Sequence, residues 1–195
     1  MDYKITTTDI PGLLIYERAT FNDDRGFFRE AVELRDLEKV LGKEITIKQW
    51  NHSQSHPKVI RGIHAEPWEK LIYVVKGSIM SVVVDFRTDS PTFGKAVKTI
   101  LGENDRKTLY LPQGMGNAFA NISDTDAEYL YLVTDYYEGK PTPAVSWQDP
   151  VITNQFGGWG IENPIVSEKD RSYQTLKEKF GNEVDFSKFP WLQEA

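Results

Sequence analysis

The chain has 195 residues with ordinary shares of hydrophobic and charged side chains, enough for one soluble domain with its own core. It has no cysteine, which excludes a disulfide framework, a thiolate nucleophile and sulfur-ligated zinc. The net charge of −6, with no Lys/Arg-rich patch, speaks against general nucleic-acid binding, although two or three well-placed arginines can still grip a diphosphate through forked local contacts.

No apolar run reaches the roughly 20 residues of a membrane helix. The start, MDYKITTTDIPG, lacks a basic stretch followed by an apolar one. No signal peptide, no membrane partner and a cytoplasmic location are therefore expected.

Taken in chain order, residues 1–33 carry short strand-like pieces, with Leu13-Leu14-Ile15-Tyr16 preceding a turn at Asn22-Asp23-Asp24-Arg25-Gly26. Leu34 to Leu41 places apolar residues at 34, 37, 40 and 41 with Gly42 just past them, which predicts a short helix. From Ile45 to Tyr137 the pattern is β. Lys70 to Val75 is a short apolar run closed by a turn at Lys76-Gly77, and Met80, Val82, Val84 and Phe86 alternate with Ser81, Val83 and Asp85. Thr108 to Leu111 and Glu128 to Thr134 repeat the pattern, with turn residues between the segments.

Short strands without helices between them read as an antiparallel sandwich or barrel. After Pro150 the pattern loosens, and Gly157-Gly158 and Pro164 sit in loop-like sequence. Ser167 to Phe180 then reads as one helix with Ser167 as N-cap and Asp170 at its third position. The expected organisation is one all-β domain over 1–195, in which 151–195 forms a C-terminal loop and helix extension packed on the barrel.

Three histidines exist, His52, His56 and His64. The stretch Arg61-Gly62-Ile63-His64-Ala65-Glu66, followed later by Pro112-Gln113-Gly114-Met115-Gly116-Asn117, has the outline of the two cupin motifs. Metal-binding cupins draw several histidines from this pair of motifs. Here Ala65 and Asn117 stand near the expected ligand positions and too few histidines remain, so no metal is expected. His64 is then free for proton transfer, which a neutral imidazole can perform near pH 7. Gln49 and Asn51 alternate with Trp50 in a strand entering the His-bearing loop, and Tyr129, Tyr131, Tyr136 and Tyr137 crowd one strand. Each of these polar or aromatic residues, like Arg25 in its D-D-R-G turn, is ambiguous on its own.

Together, FNDDRGFFRE (21–30), QWNHS (49–53), VIRGIHAEP (59–67), KLIYVVKG (70–77), VVVDFRTDSPTFG (83–94), LYLPQGMGNAF (109–119), AEYLYLVTDYY (127–137), WQDP (147–150) and VSEKD (166–170) resemble, in this order, the dTDP-4-dehydrorhamnose 3,5-epimerase family. The resemblance runs from about Phe21 to Asp170. It implies a metal-free cupin-type double-stranded β-helix, or jelly-roll barrel, with a few short peripheral helices, no cofactor, and a homodimer. It implies an isomerase that inverts C3 and C5 of dTDP-4-dehydro-6-deoxy-D-glucose through an enolate.

By the same resemblance His64 is the base and Asp170 the carboxylate that pairs with it. Lys70 stabilises the enolate oxygen, and Tyr131 returns a proton on the opposite face. Arg25 and Arg61 would grip the diphosphate, Arg25 by reaching across the dimer. Glu30, Gln49, Asn51 and Asn117 fall among the substrate-binding positions, and Tyr136 matches an aromatic that stacks on the base.

Tyr131 and Tyr136 differ by an odd number, so a regular strand would point them to opposite faces. This chain also departs from the family pattern. Asn117 stands where a histidine is usual, Gly139 to Pro143 replaces a segment that often holds a glutamate, and HAEPWEK differs from the commoner H-x-Q form. These departures leave two rivals beside double epimerisation: inversion at one carbon of another nucleotide 4-keto sugar, and a sugar-nucleotide-binding cupin without catalysis.

Overall fold

Residues 3–193 are described by a computed structural model. Strands β1 (Tyr3–Thr7) and β2 (Leu14–Arg18) lead into a small hairpin of β3 (Phe21–Asp23) and β4 (Gly26–Phe28), followed by helix α1 (Leu34–Leu41). The central run comprises β5 (Gln49–Ser55), β6 (Ile60–Ala65), β7 (Lys70–Lys76), β8 (Ser78–Asp85), β9 (Ala96–Gly102), β10 (Thr108–Leu111), β11 (Met115–Asn121) and β12 (Ala127–Val133). Three short helices close the chain, α2 (Pro150–Phe156), α3 (Glu168–Arg171) and α4 (Leu176–Phe180), with 3-10 turns at Phe186–Lys188 and Pro190–Leu192.

The strands form a six-stranded sheet in the order β1-β2-β10-β7-β12-β5 and a four-stranded sheet in the order β6-β11-β8-β9. Pairing within both sheets is antiparallel, so the fold is the expected all-β jelly roll with peripheral helices. Ile72, Val74, Val83, Leu109, Phe119 and Tyr129 fill the space between the sheets. Leu37 of α1 and Ile45 cover the outer face of the larger sheet, over Leu14, Tyr16, Leu71 and Tyr110. The C-terminal helices cover the smaller one, where Ile152, Phe156, Leu176 and Phe180 join the core cluster of Val82, Val84 and Phe86. Strand β8 is therefore buried on both sides, a stronger condition than the single apolar face its alternation suggests.

Four expectations need correction. His64 lies within strand β6 rather than in a loop. Strand β12 ends at Val133, so Tyr136 and Tyr137 stand beyond it and the parity question does not arise. The region after Pro150 is helical: Asp149 caps α2, Pro150 starts it with a φ already suited to a first turn, and Gly157 ends it at φ 80°.

Finally, 167–180 is two helices. Ser167 does cap the first, accepting from the Asp170 amide at 3.0 Å. Thr175 then starts a second through a capping box with Glu178, while the Gln174 carbonyl accepts from the Ser146 amide at 2.8 Å instead of continuing a helix.

One buried carboxylate joins two of these helices. Asp149 Oδ1 accepts from the Ile152 amide at 3.0 Å and Oδ2 from the Leu176 amide at 2.6 Å. Asp149→Ala would leave both amides without an acceptor in a buried setting. It is expected to lower the unfolding free energy by about 2–4 kcal/mol, read from urea denaturation monitored by tryptophan fluorescence.

Candidate active site

A cavity of about 540 Å³ opens between the sheets, bounded by Arg61 and His64 of β6, Lys70 of β7, Asn117 of β11, Tyr131 of β12 and Asp170 of α3. Sheet register explains the assembly. His64 pairs directly with Asn117 across β6 and β11, so their side chains share the inward face. Arg61 pairs with Phe119, which puts one more residue on β6 than on β11 between the two pairs. That bulge lets Arg61 and His64, an odd spacing apart, line the same cavity while Ile63 packs in the outer core. Gly62 makes it possible: its φ is 126°, and a Cβ there would lie 2.4 Å from the Ala118 Cβ.

On the opposite wall, Tyr131 is flanked by Asn51 on β5 and Ile72 on β7. Lys70 leads the same strand as Ile72, two positions earlier, and so shares its face.

His64 Nε2 lies 2.7 Å from Asp170 Oδ1, which leaves Nδ1 with the free lone pair. Tyr173 packs edge-on against the imidazole, with ring centroids 5.7 Å apart. Burial pushes the Asp170 carboxyl up, but the hydrogen bond and charge of His64, then the Gly62 amide, outweigh it and hold the carboxyl below its ordinary value.

The Lys70 ammonium is buried, 2.5 Å from Glu66 Oε2, and lies 4.6 Å from the centroid of the Tyr131 ring. Burial raises the Tyr131 phenol above its ordinary value, the Glu66 charge raises it further, and Arg61 pulls the other way. Arg61 is held at the rim, donating to Ser55 Oγ at 3.0 Å and to the Gln54 carbonyl at 3.1 Å. Asn117 Nδ2 donates to the Tyr129 hydroxyl at 3.3 Å, while its Oδ1 is buried without a partner.

The other sequence candidates stand outside this cavity in the single chain. Gln49 donates to Asn51 Oδ1 at 2.7 Å, and its own oxygen accepts from the Tyr137 amide at 3.2 Å. Tyr136 is 60% exposed, with the Lys48 ammonium 5.8 Å from its ring. Arg25 extends into solvent on the β3–β4 hairpin, paired only with Asp23 at 2.5 Å. Glu30 is engaged by Arg18 at 2.9 Å.

Sequence reasoning passed over Glu66, Tyr129, Lys169 and Tyr173. Two of these carry a parity signal, Glu66 two residues after His64 and Tyr129 two before Tyr131; Lys169 adjoins Asp170. A second cavity of about 410 Å³ shares His64, Glu66 and Lys169 with the first and adds Tyr137, Lys140 and Tyr173. The two other histidines are spent on exposed pairs, His52 with Glu128 at 2.6 Å and His56 with Asp126 at 2.8 Å. Among the described residues no cluster of three or more His, Cys, Asp or Glu could hold a metal ion, and no helix is long and apolar enough to cross a membrane.

The arrangement sets a carboxylate-oriented imidazole on one sheet against a partly buried phenol and a buried ammonium on the other. A base and an acid presented from opposite walls can remove a proton from one face of a carbon and return one to the other. Because the native Asp170 carboxyl titrates below its ordinary value of about 3.9, its contribution to stability is complete above that pH and is lost as pH falls through the native value. Asp170→Asn is expected to lower stability at neutral pH by about 1–3 kcal/mol, with the gap to wild type narrowing below about pH 4. Urea titrations across that range measure both.

A family model described as dTDP-4-dehydrorhamnose 3,5-epimerase matches residues 7–178. A dTDP-4-dehydrorhamnose 3,5-epimerase of Shigella flexneri is 36% identical over 171 residues, covering 86% of this chain and 92% of its own. Among solved structures, dTDP-6-deoxy-D-glucose-3,5-epimerase from Legionella pneumophila Philadelphia 1, in complex with dTDP-4-keto-L-rhamnose, superposes with a TM-score of 0.83 at 30% identity, with 99% of this chain and 100% of the other covered. A double mutant of a 3′-monoepimerase from Streptomyces bikiniensis, in complex with dTDP, gives a TM-score of 0.79 at 26% identity, with 95% of each chain covered.

Proposed function

The chain belongs to the dTDP-4-dehydrorhamnose 3,5-epimerase family, and on that premise we propose that it inverts C3 and C5 of dTDP-4-dehydro-6-deoxy-D-glucose to give dTDP-4-dehydro-L-rhamnose. The observation that carries the reading is the His64–Asp170 pair facing Lys70 and Tyr131 across one cavity.

The ketone at C4 acidifies the C–H bonds at both neighbouring carbons. His64 takes the proton, the C–H electron pair forms a double bond to C4 as the C4=O π pair moves onto the keto oxygen to give an enolate, and Asp170 stabilises the imidazolium that forms. Lys70 supplies positive charge where the oxygen gains its negative charge. Tyr131 then gives its hydroxyl proton to the opposite face of the carbon, and solvent restores both side chains before the second centre reacts. Enolate and ketone differ only by this proton, so the chain's own residues account for each transfer.

Arg61 at the rim suits the diphosphate, because a guanidinium can fork onto two phosphate oxygens. Asn117 Oδ1, buried and unpartnered, suits a sugar hydroxyl. Gln49 and Asn51, beside Tyr131 on the same face, would contact the nucleotide or sugar, and Tyr136 would stack on the base.

The reading includes a homodimer in which Arg25 reaches across to complete the partner's site, with Glu30 among the substrate-binding positions. Support comes from the hairpin: Arg25 extends free of the cavity, beside Phe21, Phe27 and Phe28 that are each at least half exposed. The whole chain acts as one domain in this reading, in the cytoplasm and without a cofactor. A single-carbon epimerase is the second reading, favoured by Asn117 at the usual histidine position and by the fold shared with the 3′-monoepimerase.

Incubating the protein with the keto sugar in deuterium oxide is expected to place deuterium at both carbons, and label at one carbon alone would leave the single-carbon reading. His64→Ala is expected to reduce exchange at least about a hundredfold, whereas Tyr131→Phe keeps exchange and loses inversion. Light scattering is expected to give twice the chain mass of 22.4 kDa, and a monomer would sink the shared-site reading.

A further inference from the structure

Among the described residues lining the cavity, Glu66 is the only carboxylate besides Asp170. It follows the end of β6 and is fixed from two sides. The Trp68 indole N–H donates to its Oε2 at 2.9 Å, and the same oxygen receives the Lys70 ammonium at 2.5 Å. Trp68 is itself buried, so the three residues between Glu66 and Lys70 form a tight strap whose shape sets where the ammonium sits.

Lys70 retains only 9% of its side-chain exposure. A buried ammonium is costly unless a carboxylate meets it, and Glu66 is the carboxylate that does. From there the ammonium rests over the Tyr131 ring.

Tyr131 must hold its proton until the enolate needs it. The charged and titratable groups around it are Lys70 from β7, Arg61 from β6, Tyr129 from its own strand, and the His64–Asp170 pair with Lys169 from across the cavity. Two cations facing a phenol favour the phenolate, which cannot donate. Burial of the phenol opposes them first, and the carboxylate of Glu66 adds to that.

We propose that Glu66 is a positioning residue for proton return: it holds the Lys70 ammonium against the Tyr131 ring and sets its negative charge beside the Tyr131 hydroxyl, against the cations that face it. The proposal rests on the epimerase reading above. It gives the strap between β6 and β7 a role in selecting inversion over simple exchange. A proton returned by His64 restores the starting sugar, and one delivered by Tyr131 inverts it.

The test is Glu66→Gln, which keeps side-chain shape and removes the charge. Deuterium exchange and inversion are followed together from neutral to alkaline pH. The inversion kcat is expected to fall about tenfold with little change in KM, and its alkaline limb to move to lower pH. The ratio of exchange to inversion is expected to rise as pH increases. A purely structural residue would lower the melting temperature and leave both the limb and the ratio in place; that outcome overturns the proposal.

Glu66→Asp keeps the charge but draws the ammonium back. Its alkaline limb is expected to stay at the wild-type pH while kcat falls severalfold, and an undiminished kcat there is equally fatal. If wild type itself shows no exchange, the epimerase reading fails. If wild type inverts normally and Glu66→Gln matches it, only this inference fails.

Discussion

The hydrogen bond between His64 and Asp170 joins positions 106 residues apart and ties the C-terminal segment to strand β6 at the cavity. A carboxylate that is nearly buried needs partners for both oxygens. One oxygen meets His64 and the other the Gly62 amide, while Ser167 caps the turn that presents the residue. Removing any of these leaves charge in a poorly solvated place. The same bond fixes which imidazole nitrogen faces the cavity, and so which atom can take a proton. A contact that anchors the chain end thus also sets the chemistry of the site.

Around that anchor the two walls carry different kinds of group. The smaller sheet supplies the oriented imidazole and the asparagine paired with it, and the larger sheet supplies the phenol and the ammonium. Neither sheet alone holds a complete acid–base set. The inter-sheet core, with Phe119 stacked on Tyr129 at 4.6 Å, fixes the separation of the walls and continues directly into the cavity floor. Packing in the middle of the sandwich is therefore part of the site's geometry: a lost methylene beneath Tyr129 would be felt at the mouth.

Strand periodicity made the β architecture legible, and the order of motifs made His64, Lys70, Tyr131 and Asp170 legible as a set that the fold brings together. Other features were hidden for identifiable reasons. Helix α2 is short and bounded by Asp149, Pro150 and Gly157, a capping signature easily read as loop. The break between α3 and α4 depends on Ser146 claiming the Gln174 carbonyl, a tertiary contact invisible to local pattern. The bulge at Gly62 cannot be inferred from alternation, because β6 is defined against β11. Arg25 and Glu30 lie outside the single-chain cavity, Arg25 paired with Asp23 and Glu30 with Arg18. Glu66 was in view within the motif yet read as a variant position; its meaning depends on an ion pair that only folding creates.

The extra residue in β6 works as a ruler. It fixes the interval between the guanidinium at the rim and the imidazole inside. Deleting the extra residue would leave the two side chains two positions apart on a regular strand, still on the inner face but about 3 Å nearer along it. In the proposed epimerase reading, sugars could vary in their hydroxyls within this cavity, but the linkage between phosphate and ring could not change length. Selection at this site thus begins with reach, before any hydrogen bond to the sugar is made.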